Sequence, residues 1–141
     1  HGLVVRHGTV TLRHVRQQFG GTGLGVLGGG DYVFEHLACN DNAGDGVRLS
    51  FQGSYEFTGL EASRNGRTGF LNDSPNTTVA VSQGIFRDNG GDGIYVAGNS
   101  ILTDVLIERS QGSYGVFGGG GGSESSHTWT DLTVSDSKAY G

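Results

Sequence analysis

The sequence predicts an all-β fold, a single-stranded right-handed parallel β-helix (solenoid) of about six coils of 21–26 residues. Three observations carry this. The 141 residues hold 28 glycines against one proline. Glycines followed by an apolar-x-apolar segment recur at Gly2, Gly23, Gly46, Gly69, Gly93 and Gly115, with Gly141 last, at spacings of 21, 23, 23, 24, 22 and 26 residues. Between them the apolar residues alternate with period two, the signature of short strands. Unpatterned glycine enrichment reads as linker or disorder. A fixed interval of this size instead marks a repeat whose units stack.

Each coil reads alike. The glycine opens a first strand, as in Val47-Arg48-Leu49-Ser50, and a Gly/Ser/Asn-rich turn follows. A second strand carries the pairs Tyr32/Phe34, Tyr55/Phe57, Val79/Val81, Ile101/Thr103 and His127/Trp129. A third carries Leu37/Cys39, Leu60/Ala62, Gly84/Phe86, Leu106/Glu108 and Leu132/Val134. Alternation sends these pairs inward. Leu24, Val47, Phe70, Ile94 and Val116 share one offset from their glycines and are expected in a single inward column.

The return turn reads N-A-G-D-G from Asn42, N-G-R-T-G from Asn65 and N-G-G-D-G from Asn89, with Gln111 equivalent in the fifth coil. Asn and Gly close tight turns and tolerate left-handed backbone. Stacked Asn42, Asn65 and Asn89 are expected to bond to one another along the axis as a structural ladder. Five residues before each glycine stand Gln18, Asp41, Arg64, Asp88, Ser110 and Asp136. Asp41, Arg64 and Asp88 would stack with alternating sign, about 4.8 Å apart.

Composition narrows the function. Net charge is −5 and the nine basic residues are dispersed, which argues against nucleic acid as a partner. No apolar run approaches the ~20 residues of a membrane helix. Cys39 is alone, so no internal disulfide forms, and a buried, inert thiol is expected. The expected location is extracellular or cell-surface. The chain begins at His1 with neither a methionine nor a leader, so residues 1–141 read as one β-helix domain that is a processed product or a fragment. Neither end shows a capping helix. Gly2-Leu3-Val4-Val5 already reads as a strand, and Tyr140-Gly141 stops where a next coil would open. A longer parent chain, or copies stacked end to end, would cover such ends.

The phrases V-F-E-H-L-A-C-N-D-N-A-G-D-G-V-R-L and G-I-F-R-D-N-G-G-D-G-I-Y-V resemble the pectate-lyase-like superfamily of β-helix proteins, and mannuronan epimerase-like repeats most closely in character. The resemblance covers nearly the whole chain. It implies the fold, and a sugar groove along the strand after the repeat glycine. In those epimerases a D-P-H-E stretch on that strand carries catalysis. Here the outward positions are Val4/Arg6, Gly25/Leu27, Arg48/Ser50, Leu71/Asp73, Tyr95/Ala97 and Phe117/Gly119, with no such grouping. Asp45 and Asp92 share a coil position two coils apart, roughly 10 Å, too far to hold one cation directly.

Candidate binding residues on that face are Arg6, Arg48, Asp73, Tyr95 and Phe117. Arginine grips carboxylates and aromatic rings offer flat apolar faces, a combination suited to an acidic polysaccharide. The bland alternative is an ordinary solvated face. His14 and His36 are weak metal candidates one coil apart if the first coil is shifted by a residue, which also sets Arg13 beside Glu35. No cofactor is expected. Asn72-Asp73-Ser74 and Asn76-Thr77-Thr78 are glycosylation sequons around Pro75, open to occupation in a eukaryotic secreted protein and bare turn residues in a bacterial or archaeal one. Gly118–Gly122 with Ser123-Glu124-Ser125-Ser126 reads as an exposed loop without the Lys-Ser/Thr of a phosphate cradle. Two functions remain: a non-catalytic, adhesin-like or fibre-forming extracellular scaffold that contacts polysaccharide, and a carbohydrate-active module of epimerase or lyase type.

Overall fold

A computed structural model describes residues 2–119 and 125–137. His1, Gly120–Glu124 and Tyr140-Gly141, to which the sequence expectations also extend, lie outside the described residues. The chain winds as a right-handed parallel β-helix of about six coils. The first strands are β1 (Leu3–Val5), β4 (Leu24–Val26), β7 (Val47–Leu49), β9 (Phe70–Asn72), β11 (Ile94–Val96) and β13 (Val116–Gly118). They stack in that order into one parallel sheet, here sheet I. The second strands are β2 (Val10–Arg13), β5 (Gly30–Glu35), β8 (Gly53–Thr58), β10 (Thr77–Arg87), β12 (Asn99–Glu108) and β14 (His127–Ser135), and form sheet II. The third face begins with β3 (Arg16–Gln18) and β6 (Ala38–Asn40), then runs through bridges from Ala38 to Glu61 to Ile85.

The expected inward column holds: Leu24 pairs with Val47, Val47 with Phe70, Phe70 with Ile94 and Ile94 with Val116. The first four are fully buried. Aromatic residues fill the width from sheet II. Tyr32 stacks on Tyr55 at 5.2 Å and Phe34 on Phe57 at 4.7 Å, while Phe57 meets Phe70 edge-on at 5.2 Å. Offset and edge contacts of this kind add to the burial of the rings themselves. Cys39 is buried as expected, and burial pushes its thiol up to about 12.

Two single-residue corners bend every coil. One column is His14, His36, Gly59, Gln83, Asp104 and Asp131; the other is Phe19, Asp41, Arg64, Asp88, Arg109 and Asp136. All have positive φ, and in the second column φ lies between 51° and 58°. Five of the twelve are aspartates, whose short polar side chain tolerates this conformation. The corner therefore falls on the residue before each turn asparagine and not, as expected, on Asn or Gly within the turn. The repeat glycines serve another need. A Cβ on Gly46 would lie 2.6 Å from the Gly69 carbonyl and 2.7 Å from Asn65 Nδ2, so glycine is there for space.

Four sequence assignments are corrected, three within the fifth coil and one in the charge column. Gly84 pairs with Val105 and Phe86 with Ile107, so Val105/Ile107 point inward and Leu106/Glu108 outward. Val79 likewise pairs with Ser100 and Val81 with Leu102, leaving Ile101 49% exposed. The segment has apolar residues at both parities, and pairing with the coils on either side decides between them. Inward Ser100 is satisfied by coil six: its Oγ lies 2.8 Å from His127 Nδ1 and accepts from Trp129 Nε1 at 3.0 Å. In the turn column, Gln111 pairs through its N–H with the Asn89 carbonyl, as Gly90 does with Asn65, so Ser110 and not Gln111 follows Asn89. The charge column accordingly runs through Phe19 and Arg109 in place of Gln18 and Ser110.

Candidate functional site

The middle residue of each sheet I strand faces outward, with a side chain in every coil but the second, where Gly25 leaves a gap. The register orders them Val4, Gly25, Arg48, Leu71, Tyr95 and Phe117. Asp73 stands just past β9 and is held by Arg48, so four of the five candidate residues share this face, while Arg6 follows the end of β1. Those four form two groups. Arg48 Nη2 donates to Asp73 Oδ2 at 2.9 Å, its Nε donates to Ser50 Oγ at 3.3 Å, and its Nη1 lies 3.8 Å from Asp45. Asp45 is buried and also accepts from the Thr68 N–H at 3.2 Å. Asp92 repeats that role, accepting from the Tyr114 N–H at 2.8 Å. These two aspartates thus cap the backbone of the following coil.

The second group is aromatic. Tyr95 and Phe117 stack nearly parallel with centroids 4.7 Å apart, and Tyr114 tilts onto Phe117 at 4.8 Å. Stacking along the axis uses one face of each ring on its neighbour. What remains is a ledge of ring edges and outer faces, next to the small residues Ala97 and Gly119. Tyr114 was not among the sequence candidates, because an extra residue in its turn hides its register. Arg6 lies in the first coil, two coils from Arg48 and roughly 10 Å along the axis.

The other candidates sit elsewhere. His14 and His36 do stack, with centroids 5.0 Å apart and planes 12° from parallel, and Arg13 meets Glu35 at 2.7 Å as expected. Imidazole lone pairs lie in the ring plane, so two parallel rings aim past any single ion. The Asn ladder forms: Asn42 donates to Asn65 Oδ1 through its N–H at 3.1 Å and Nδ2 at 3.0 Å, and Asn65 does the same to Asn89 at 3.0 and 3.1 Å. Its neighbours form ion pairs. Arg64 holds the Asp41 carboxylate at 2.7 and 2.9 Å, and Arg109 holds Asp88 at 2.6 and 2.9 Å. Those guanidinium bonds hold both carboxyls below the usual range.

One feature gave no sequence signal. Gln83, Gly84, Ile85, Asp104 and Leu106 line a shallow groove of about 240 Å³ at the corner between the second and third strands. It exists because Leu106 faces outward, against the parity expected.

A family model described as right handed beta helix region matches residues 1–140. Among solved structures, pectate lyase Pel9A is similar, with a TM-score of 0.57 and 19% identity over 98% of this chain and 51% of that one. This chain thus spans about half the length of that protein, and likeness at this identity is a likeness of fold. No curated protein matches the sequence.

Proposed function

We propose, from the premise that the chain belongs to the right-handed β-helix family, that it is a non-catalytic extracellular scaffold whose sheet I face contacts polysaccharide. The observation that carries this reading is the pairing of an aromatic ledge with a guanidinium on one face. Tyr95 and Phe117 stack at 4.7 Å, and Arg48 stands in the same outward row, separated from them by Leu71. The ledge suits the C–H face of a sugar, and the guanidinium suits a uronate carboxylate. The non-catalytic part rests on how the acidic groups of the face are used. Asp45 and Asp92 cap backbone N–H groups, and Asp73 holds Arg48. All three carboxylates are thus engaged by groups of the protein itself, whereas acid–base work calls for a carboxyl placed to exchange a proton with the ligand.

The test is calorimetric titration with alginate, pectate and a neutral glucan, alongside an assay for unsaturated or epimerised product. Binding that falls at least tenfold in Tyr95→Ala, without turnover, supports the reading. Turnover lost on changing Arg48 or Asp73 overturns it in favour of an epimerase or lyase. No binding by any polymer also overturns it.

End-to-end association of copies is a second reading, supported by the edge strands β13 and β14. Trp129 and Val134 belong to inward columns yet are 37% and 41% exposed, and strands of the same geometry would cover them. Sedimentation over a concentration range decides it: growing assemblies support association, and a monomer at every concentration overturns it.

A further inference from the structure

The two neighbouring sequons are not equivalent in the fold. Asn72 ends β9 with its side chain pointing into the coil, and it is fully buried. Its Nδ2 donates to Thr77 Oγ1 at 2.5 Å and to the Ser74 carbonyl at 3.2 Å, and its Oδ1 accepts from the Ser74 N–H at 3.2 Å. Both amide protons are therefore engaged, and the amide closes the bend that carries the chain from sheet I to sheet II. An N-linked glycan replaces one of those protons with a sugar carbon. At Asn72 this would break the bend and force a large polar group into a fully buried position.

Asn76 differs in every respect. It lies on the outer side of the same bend, just before β10, and is exposed. Thr78, the hydroxyl residue of its sequon, is exposed and outward, while the intervening Thr77 is turned in against Asn72. No side-chain hydrogen bond within the described residues uses the Asn76 amide. Proline also sorts the two sites. Pro75 directly follows Ser74 and restricts it to extended backbone, whereas Asn76-Thr77-Thr78 has no proline within or after it.

We propose that Asn76 is the acceptor of an N-linked glycan and that Asn72 carries none. This rests on the extracellular placement in the preceding reading, reached by a eukaryotic secretory route that attaches N-linked glycans, and not on polysaccharide contact. The bend adjoins Asp73, so the glycan stands at the rim of the Arg48–Asp73 group and screens that flank of sheet I.

The test is secretion of the chain behind a leader from a eukaryotic host, with mass measurement before and after peptide N-glycosidase, which leaves aspartate where a glycan stood. The expected result is one glycan, with conversion of Asn76 alone. Thr78→Ala should abolish it and Thr78→Ser restore it. Ser74→Ala, which removes the Asn72 sequon and leaves the Asn72 amide in place, should leave occupancy unchanged. A folded, secreted chain without a glycan overturns the proposal, as does conversion at Asn72. Protein from its native source that lacks the glycan also overturns the proposal, whatever the leader-directed chain carries, while recovery of the native protein from outside the cell or from within it tests the extracellular placement separately.

Discussion

Asn65 donates twice to a single atom of Asn89: its backbone N–H and its Nδ2 both reach the Asn89 side-chain oxygen, at 3.0 and 3.1 Å. The second proton of that Nδ2 reaches the Cys39 carbonyl at 3.0 Å, so one amide ties three coils together. Asn65→Ala leaves the Asn42 N–H and the Cys39 carbonyl unpaired in a buried position. At about 1–3 kcal/mol for each such group, the loss should total roughly 2–6 kcal/mol. Arg64→Ala, one residue away, removes only an exposed ion pair and should cost no more than ~1 kcal/mol. Urea midpoints of the two variants check this, and equal losses would refute the ladder's structural role.

Gly46→Ala should destabilise through crowding and not through backbone strain. Its new methyl meets the Gly69 carbonyl at 2.6 Å and Ala62 Cβ at 2.9 Å, both on the neighbouring coil and unable to swing away. Overpacking of this kind costs about 1–3 kcal/mol. Gly8→Ala is the contrast. It has nothing within 4 Å but sits at φ 109°, so any loss there comes from conformation alone. Thermal unfolding of both separates the two causes. If Gly46→Ala is as stable as the parent protein, the close approach does not constrain the coil.

The repeat was legible because the glycines and the inward apolar residues obey one period, and stacking leaves little freedom where parity is clear. Leu24 to Val116 is such a column. Parity failed at Ile101 to Glu108, where both alternations are apolar and only neighbouring strands choose. It failed again at Gln111, where one extra residue before Gly115 shifts the count from the glycine. The face holding Arg48, Asp73, Tyr95 and Phe117 follows from register alone. That Arg48 turns to Asp73, and that the aromatic rings cover one another, depends on side-chain geometry that spacing does not carry.

The ion-pair column gives a defined pH dependence. Asp41 and Asp88 lie below the ordinary 3.8 in the folded chain, first through the hydrogen bonds of Arg64 and Arg109 and then through their charge. Unfolding returns them to 3.8. Their contribution is complete above that value and is lost as pH falls through the depressed folded values. Both pairs are exposed enough for solvent and salt to screen them, so the loss of stability is small. Carboxyl titration by NMR should show Asp88 moving up toward 3.8 in Arg109→Ala. An unmoved Asp88 would mean that the pair does not persist in solution.

Asp73 competes with any acidic ligand for Arg48. In the free protein its carboxylate already occupies Arg48 Nη2 at 2.9 Å, and Asp45 lies 3.8 Å from Nη1. A uronate that reaches this guanidinium must displace or share those partners, and it approaches two negative charges in doing so. Asp73→Asn removes one charge and weakens the competing bond, while the exposed pair it breaks was worth at most ~1 kcal/mol of stability. Affinity for a uronan should therefore rise several-fold in Asp73→Asn, fall in Arg48→Ala, and become more salt-sensitive in the first variant as the guanidinium is freed. A neutral glucan held by the Tyr95–Phe117 ledge should respond to neither change but should lose binding in Phe117→Ala. Calorimetry at two salt concentrations reads both patterns. If Asp73→Asn weakens uronan binding as much as Arg48→Ala does, Asp73 is orienting the arginine for the ligand, and the competition argued here is wrong.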